Sequence, residues 1–208
     1  MNICAIPGLN LRISPNQLAL PTVDIDKAVD MGSAVLAGGC FWCTEAVFKR
    51  LNGVIAIMPG YAGGRPERAN YDAVCTGLSG HAEAIKIDYD ANLISFGKLL
   101  QVFFAVAHDA TQLNRQGNDI GSQYRSAIFP QDALQAHCAH AYIEQLTQSD
   151  TFLAPIATVI EPGQLFYPAE TYHQDYAARN PGQPYIQAVS QPKVEKLQRF
   201  FQDNLKKC

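Results

Sequence analysis

Short hydrophobic runs along the chain predict several β-strands. Residues 33–37 form a nearly continuous apolar run, which predicts a strand covered on both faces. Residues 54–58 resemble a second strand, and residues 126–129 a short third one. Residues 81–89 alternate between apolar and polar positions, and the alternation places Glu83 on the apolar face. A carboxyl group is therefore expected on the buried side of a strand.

Longer segments follow the 3.6-residue spacing of amphipathic helices. Residues 44–51 read as a helix after a glycine pair, and residues 96–107 place their apolar side chains on one face behind Ser95, a suitable N-cap. Residues 131–148 and 192–207 are also predicted to be helical. Strands and helices interleave, which indicates the α/β (α+β) class, with a sheet in one layer and helices in another.

The chain divides into an arm and one domain. Residues 1–32 contain prolines and show no clear period, so they are expected to form an N-terminal arm. Residues 33–208 are expected to form a single domain that includes a C-terminal helical tail. A chain of 208 residues is long enough for one such domain with a sizeable core.

Composition and charge exclude some classes of protein and leave others. The formal net charge is −3 and lysines are scattered, which argues against a nucleic-acid surface. No apolar run approaches the roughly 20 residues that a membrane-spanning helix needs. Residues 1–20 lack the basic start and apolar core of a signal peptide, so a cytoplasmic protein is expected. The six cysteines are too few and too irregularly spaced for a disulfide scaffold.

One stretch, "AGGCFWCTE" at residues 37–45, combines two glycines, two thiols and two aromatic side chains. It connects a predicted strand to a predicted helix, so Cys40 is expected near a helix N-terminus, where free amide groups favour an anion. A thiol with the ordinary pKa of about 8.5 gains thiolate character severalfold when that pKa falls by about one unit. Cys43, three residues later, is one helical turn away.

Three interpretations of this pair compete. The two cysteines can be small buried hydrophobic residues, ligands of a zinc ion, or a reactive thiol and its partner. A zinc site needs two further ligands, and a second Cys-x-x-Cys pair is missing from the sequence. A reactive thiol with a partner explains the glycines and aromatics best, and no bound metal is expected.

The same stretch resembles the active-site signature of the A-type peptide methionine sulfoxide reductases. Several other segments resemble that family, in the family's order and over roughly residues 33–193: "GYAGG" (60–64), "NYDAVCTGLSGHAEAIKIDYD" (70–90), "FFAVAHD" (103–109), "RQGNDIGSQYRSAIF" (115–129) and "FYPAETYHQDY" (166–176). Several long motifs in order are far more specific than one tetrapeptide.

The resemblance implies a fold, an activity and a set of site residues. The fold is a ferredoxin-like two-layer sandwich with a mixed sheet, long loops and a C-terminal extension. The activity is reduction of methionine S-sulfoxide, free or in oxidised proteins, by an enzyme without a bound cofactor that thioredoxin returns to its reduced state. We expect a monomer. The resemblance assigns the nucleophile to Cys40, the lining of the site to Glu83, Tyr71, Asp119 and Tyr124, and the substrate methyl group to Phe41 and Trp42.

The residues suit that chemistry, although each has a structural interpretation as well. A sulfoxide needs a nucleophile at sulfur and an acid at oxygen, and a buried Glu83 would keep its proton near neutral pH. A carboxylate at a strand end can instead turn back to water. Tyr71 and Tyr124 are otherwise packing residues, and Asp119 is otherwise a turn residue that caps its own backbone.

Attack on the sulfoxide would leave Cys40 as a sulfenic acid, which condenses with a nearby thiol. Many members of the family carry recycling cysteines in a glycine-rich tail, often after a Pro-Tyr pair, whereas here Ile186 follows Pro184 and Tyr185. The candidates for the resolving thiol are Cys43 and Cys208. We favour Cys43, because a partner fixed one turn away has a high effective concentration.

Two other functions remain open from the sequence alone. A thioredoxin-like dithiol oxidoreductase also carries Cys-x-x-Cys after a strand, but it needs no proton donor for a sulfoxide. A non-catalytic zinc-binding module would hold stoichiometric metal.

Overall fold

The computed structural model of the chain describes residues 10–25 and 30–207. The strands are β1 (Met31–Gly38), β2 (Val54–Ala62), β3 (Ala82–Asp90), β4 (Arg115–Gln116), β5 (Asp119–Ile120), β6 (Ser126–Phe129), β7 (Val159–Ile160) and β8 (Phe166–Pro168). The helices are α1 (Phe41–Phe48), α2 (Tyr71–Cys75), α3 (Phe96–Val102), α4 (Ala133–Gln148), α5 (Tyr176–Arg179) and α6 (Gln191–Phe200). Phe103–Ala107 and Ile186–Ser190 are π-helical turns next to α3 and α6.

Six of these strands form one mixed sheet. Its order is β7-β6-β1-β3-β2-β8, and only the β6–β7 pair is parallel. The units β1-α1-β2 and β3-α3-β6 each connect two parallel strands with one strand of the other unit between them. This interleaving is the ferredoxin-like topology, so the predicted fold class is confirmed.

The helices cover one face of the sheet. Apolar side chains of α1, α3 and α4 pack with Leu36, Ile85 and Ile87 from the central strands into one continuous core. The opposite face carries mainly small residues from β1, β2 and β3. Glu83 belongs to the helix-covered face, because it lies two residues before Ile85 on the same strand.

The segment at residues 10–25 contains no helix longer than one 3-10 turn, yet it packs on the domain. Leu11 and Leu18 are buried in the main core. The hydroxyl of Tyr142 donates a hydrogen bond to the carbonyl of Ala19 over 2.7 Å, and the Gln101 amide donates to the carbonyl of Leu18. These contacts hold the segment against α3 and α4.

The C-terminal helix is shorter than the predicted 192–207. It ends at Phe200, because the chain then turns back toward α1, and Leu205 pairs with Leu51. The amide of Lys206 donates to the carbonyl of Arg50 over 2.9 Å, so Lys206 is not at a helix end. Within the described residues, no helix combines the length and apolarity that a membrane crossing requires.

Candidate active site

The nucleophile candidate is held at the junction between β1 and α1. Gly39 has a φ of +85°, and a Cβ atom there would lie 2.5 Å from Cγ of Gln116. Only glycine satisfies both conditions without strain. Cys40 follows as the N-cap residue, and the helix begins at Phe41 rather than at the predicted residue 44.

Glu83 lies beneath the first turn of α1. Its Oε2 atom accepts a hydrogen bond from the amide of Phe41 over 3.0 Å, and the side chain is 3% exposed. Burial raises the pKa of Glu83 to about 8; the Phe41 amide opposes this rise, and the charges of Asp119 and Cys43 add to it. The carboxyl group therefore holds its proton at neutral pH.

The sequence-derived site residues meet around one small cavity of about 70 Å³. It is lined by Cys40, Phe41, Trp42, Tyr71, Glu83, Asp119, Tyr124 and Tyr185. The first seven come from three of the family-like segments, residues 37–45, 70–90 and 115–129. They include every residue that was expected at the site except the two candidate resolving cysteines. Cys43 lies behind the cavity wall and is fully buried, whereas Cys208 is outside the described residues.

Two tyrosine hydroxyls face the cavity in their protonated form. Burial is the largest cause that raises the pKa of both Tyr71 and Tyr124, and the negative charge of Glu83 adds to it. Glu170 fixes the start of α2, since its carboxylate accepts hydrogen bonds from the Tyr71 amide over 2.9 Å and from the Tyr61 hydroxyl over 2.8 Å. Because both cavity hydroxyls keep their protons, they can donate to an oxygen without adding charge.

The aromatic wall is held from behind. Trp42 stacks on Tyr176 with ring centroids 3.8 Å apart and an interplanar angle of 11°. Its indole N–H donates to Nδ1 of His173 over 3.2 Å. The Phe41 ring packs against His173 and Tyr61 at centroid distances of 5.0 and 5.9 Å. An aromatic wall of fixed orientation is suited to a methyl group next to sulfur.

Glu45, one turn beyond Phe41, connects α1 to the segment that carries His173 and Tyr176. Its Oε1 atom accepts a hydrogen bond from the amide of Asp175 over 2.9 Å. Asp175 has a φ of +57°, a strained conformation for a non-glycine residue. The other carboxyl oxygen is buried without a partner among the described residues. Burial raises the pKa of Glu45 to about 7.

Cys40, Cys43 and Tyr185 form a connected polar cluster. The Cys43 thiol lies 3.8 Å from the Tyr185 hydroxyl, which donates to Oδ2 of Asp119 over 2.5 Å. Burial is the main cause that raises the pKa of Cys40. A hydrogen bond from Cys40 lowers the pKa of Cys43 to about 7. The sequence predicted a lowered pKa for Cys40, whereas burial raises it and the hydrogen bond between the two thiols favours the thiolate at Cys43.

Sequence reasoning did not assign Tyr185 to the site. The residue lies 66 positions from Asp119 and 142 from Cys43 along the chain, so no local pattern connects them. In the sequence, Tyr185 belongs only to the Pro-Tyr pair after which many family members carry a recycling cysteine. His173 and Glu170 belong to the family-like segment at residues 166–176, and their contacts place them directly behind the cavity wall.

Comparisons with known proteins agree on one family. Residues 32–205 match the family described as peptide methionine sulfoxide reductase. The peptide methionine sulfoxide reductase MsrA of Nautilia profundicola is 50% identical over 85% of this chain and 99% of its own. MsrA of Deinococcus radiodurans is 52% identical over 83% and 84%. MsrA 2 of Synechocystis is 47% identical over 97% of both chains.

Solved structures give the same result. The reduced form of Mxr1 from Saccharomyces cerevisiae is 35% identical, with a TM-score of 0.67, over 80% of this chain and 94% of its own. Methionine sulfoxide reductase A of Corynebacterium diphtheriae is 28% identical, with a TM-score of 0.58, over 84% and 88%. These matches favour a reductase over the thioredoxin-like oxidoreductase and over the zinc-binding module.

Proposed function

Because the chain belongs to the peptide methionine sulfoxide reductase family and is a peptide-methionine (S)-S-oxide reductase of the A type, we propose that Cys40 attacks the sulfoxide sulfur while Glu83 protonates the oxygen. One observation carries this assignment. The only carboxyl group among the cavity-lining residues that is almost fully buried lines the same 70 Å³ cavity as the Cys40 thiol. Desolvation keeps that acid protonated where the substrate oxygen needs a proton.

The cavity walls differ in polarity in a way that fits one sulfoxide epimer. Phe41 and Trp42 take the methyl group, and the hydroxyls of Tyr71 and Tyr124 donate to the oxygen. Asp119 orients the Tyr185 hydroxyl at the same cavity. The opposite epimer would place its oxygen against the aromatic wall, where a buried acceptor without a donor costs about 1–3 kcal/mol or more. Selectivity for one epimer follows from this difference, and membership of the family assigns that preference to the S-sulfoxide.

Cys43 supports the attack before it resolves the product. The Cys43 thiolate, which forms at about pH 7, accepts the Cys40 proton while Cys40 bonds to the sulfoxide sulfur. The bond between Cys40 and the substrate sulfur then breaks as the oxygen passes to Cys40, so that methionine leaves as the thioether and Cys40 becomes a sulfenic acid. Cys43 loses its proton again, attacks that sulfur and releases water, which leaves a disulfide between residues 40 and 43.

The position of the C-terminal segment supports Cys43 over Cys208. The Lys206 amide donates a hydrogen bond to the carbonyl of Arg50, just beyond the end of α1 that lies away from Cys40. The eight residues of α1 span about 12 Å at 1.5 Å each, so these ends are at least that far apart. The two residues from Lys206 to Cys208 span at most about 7 Å. Even with the roughly 4.4–6.8 Å that a disulfide adds between Cα atoms, a bond between Cys208 and Cys40 would require an almost fully extended terminus, whereas Cys43 is one helical turn from Cys40.

The remaining parts of the proposal concern partners and organisation. We propose that residues 33–208 are the catalytic unit, with residues 1–32 as an arm, and that the enzyme acts as a monomer. Thioredoxin is the proposed external reductant, and a cytoplasmic location fits a cycle that begins from two free thiols. Both free methionine sulfoxide and oxidised proteins are proposed substrates, since only the sulfoxide end fits the cavity.

Single-turnover reduction of the two methionine sulfoxide epimers tests the proposal. Reduced enzyme without added reductant should convert one equivalent of the S epimer and little of the R epimer, and peptide mapping should find a Cys40–Cys43 disulfide. Equal conversion of both epimers would contradict the cavity assignment. A Cys40–Cys208 disulfide would contradict the choice of resolving cysteine.

A further inference from the structure

Cys40 lines a second, larger opening. A cleft of about 660 Å³ is bounded by Cys40, Asp119 and Tyr185, which also line the small cavity, and by one side of α6. Gln112 and Gln116 also line this cleft. The Tyr185–Asp119 hydrogen bond therefore belongs to the wall that the cavity and this α6 cleft share.

The α6 cleft carries an excess of positive charge. Lys193, Lys196 and Arg199 recur every three residues along α6 and all line it, against the acidic Glu195 and Asp119. Within residues 10–25 and 30–207, none of the three cations forms an ion pair. Burial, followed by the neighbouring Lys193, lowers the pKa of Lys196 to about 8. A negatively charged ligand would relieve that repulsion.

The cations lie close enough to the dithiol to act on it. The charge of Lys193 helps to lower the pKa of Cys43. Cys40 is 8% exposed and Cys43 is 0% exposed, so Cys40 is the sulfur that an incoming reagent can touch. The small cavity has room for a sulfoxide group only, whereas the α6 cleft has the size of a small-ligand site.

We propose that the α6 cleft binds a small thiol that carries carboxylate groups and that this thiol reduces the Cys40–Cys43 disulfide directly. The inference rests on the disulfide of the proposed function and adds a binding site for a low-molecular-weight reductant. Lys193, Lys196 and Arg199 bind the carboxylates, and the thiol reaches Cys40 between Asp119 and Tyr185.

The exchange balances with two equivalents of thiol. The first thiolate attacks Sγ of Cys40, the sulfur–sulfur bond to Cys43 breaks, and Cys43 leaves with the electron pair as a thiolate. A leaving thiol of low pKa departs faster, and the charge of Lys193 favours this one. A second thiolate attacks the reductant sulfur of the mixed disulfide and releases Cys40. Two thiols are oxidised to one disulfide, and one enzyme disulfide is reduced to two thiols.

The test measures how fast three thiols of different charge reduce enzyme that one turnover has oxidised. The probes are 3-mercaptopropionate, 2-mercaptoethanol and cysteamine at pH 7, with rates expressed per thiolate and followed by quenching at the sole tryptophan, Trp42. The anionic probe should react fastest. Lys196→Gln should slow the anionic probe about fivefold, which is the scale of one nearby charge in a partly solvated cleft, and should change 2-mercaptoethanol less than twofold.

Two further variants test whether the change in rate has the sign expected for a charge and whether it is confined to the α6 cleft. Glu195→Gln removes an opposing charge from the cleft and should speed the anionic probe. Lys206→Gln removes a lysine charge at the other end of α1 and should leave all three rates unchanged. Equal rates for the three probes, or equal effects of Lys196→Gln and Lys206→Gln, would overturn the proposal. Cys40 lines the cleft whichever cysteine it pairs with, so a different disulfide in the peptide map contradicts the resolving step alone.

Discussion

The amide of Phe41 donates a hydrogen bond to the carboxyl of Glu83 over 3.0 Å, so the acid is tied to the residue that follows the nucleophile. This bond joins the buried strand β3 to the first turn of α1. The same amide favours the charged form of Glu83, but the stronger effect of burial leaves the pKa at about 8. The acid is therefore positioned by a group that does not remove its proton.

Glu83→Gln should lower the single-turnover rate of sulfoxide reduction by about 10²–10⁴-fold, the usual contribution of a general acid. The amide still accepts the Phe41 hydrogen bond but offers no acidic proton. In the unmodified enzyme the rate should fall above pH 8, where Glu83 ionises, and the variant should lose that limb. Rapid-quench assays between pH 6 and 10 measure both, with Glu67→Gln, an exposed carboxyl, as the control. If the variant showed the same fall in rate above pH 8, that fall would belong to another titrating group.

The same substitution should change how stability depends on pH. Because the folded-state pKa of Glu83 is raised from 4.5 to about 8, the native state binds more protons than the unfolded state between these values, and stability falls as pH rises through that window. The Glu83→Gln variant has no group that ionises at this position, so it does not lose this stability. Its melting temperature relative to the unmodified enzyme should therefore increase from pH 5 to pH 8 and level off above. Thermal unfolding of the reduced proteins measures this, and parallel curves would contradict the raised pKa.

The sequence predicted the elements of the fold better than their ends. The alternation at residues 81–89 was enough to place Glu83 on the buried face, because a strand fixes every second side chain. The amphipathic pattern near the C-terminus did not reveal that the helix stops at Phe200, because the pairing of Leu205 with Leu51 is a tertiary contact.

The site could be predicted less completely than the fold, because part of it depends on contacts between residues that are far apart in the sequence. The family-like motifs named seven cavity residues, but Tyr185 enters through contacts with residues far away in the sequence. The sequence placed Cys40 at a helix N-terminus and gave no order for the pKa values of the two thiols. A helix N-terminus favours a thiolate at Cys40, but burial, followed by the adjacent Cys43, raises the pKa of Cys40 in the free dithiol.

Cys43→Ser should leave the first sulfoxide turnover possible and prevent disulfide formation. The Cys40 sulfenic acid should then accumulate and be trapped by dimedone, and turnover with thioredoxin should fall by about tenfold or more, since an attacking group held one turn away has a large effective concentration. The first turnover should also be slower, because Cys43 accepts the Cys40 proton. Mass spectrometry of the quenched enzyme measures the adduct.

Two variants control that experiment. Cys75→Ser changes an exposed free thiol and should leave the disulfide intact. Cys208→Ser should do the same, and loss of the disulfide in that variant would reassign the resolving role.

Glu45 should act as a positioning residue for the aromatic wall. Its carboxyl holds the amide of Asp175 in a left-handed conformation, and the next residue, Tyr176, stacks on Trp42. Glu45→Ala removes the acceptor, so the wall should lose its fixed orientation, KM for the S-sulfoxide should rise about three- to tenfold, a loss on the order of one hydrogen bond, and the Trp42 emission should shift to longer wavelength. Glu45→Gln keeps an acceptor for the Asp175 amide and should restore both values to within about twofold if that bond is the relevant one. A fall in kcat at constant KM would contradict a role in positioning the aromatic wall, and a Gln variant as impaired as the Ala variant would show that Glu45 acts through its charge.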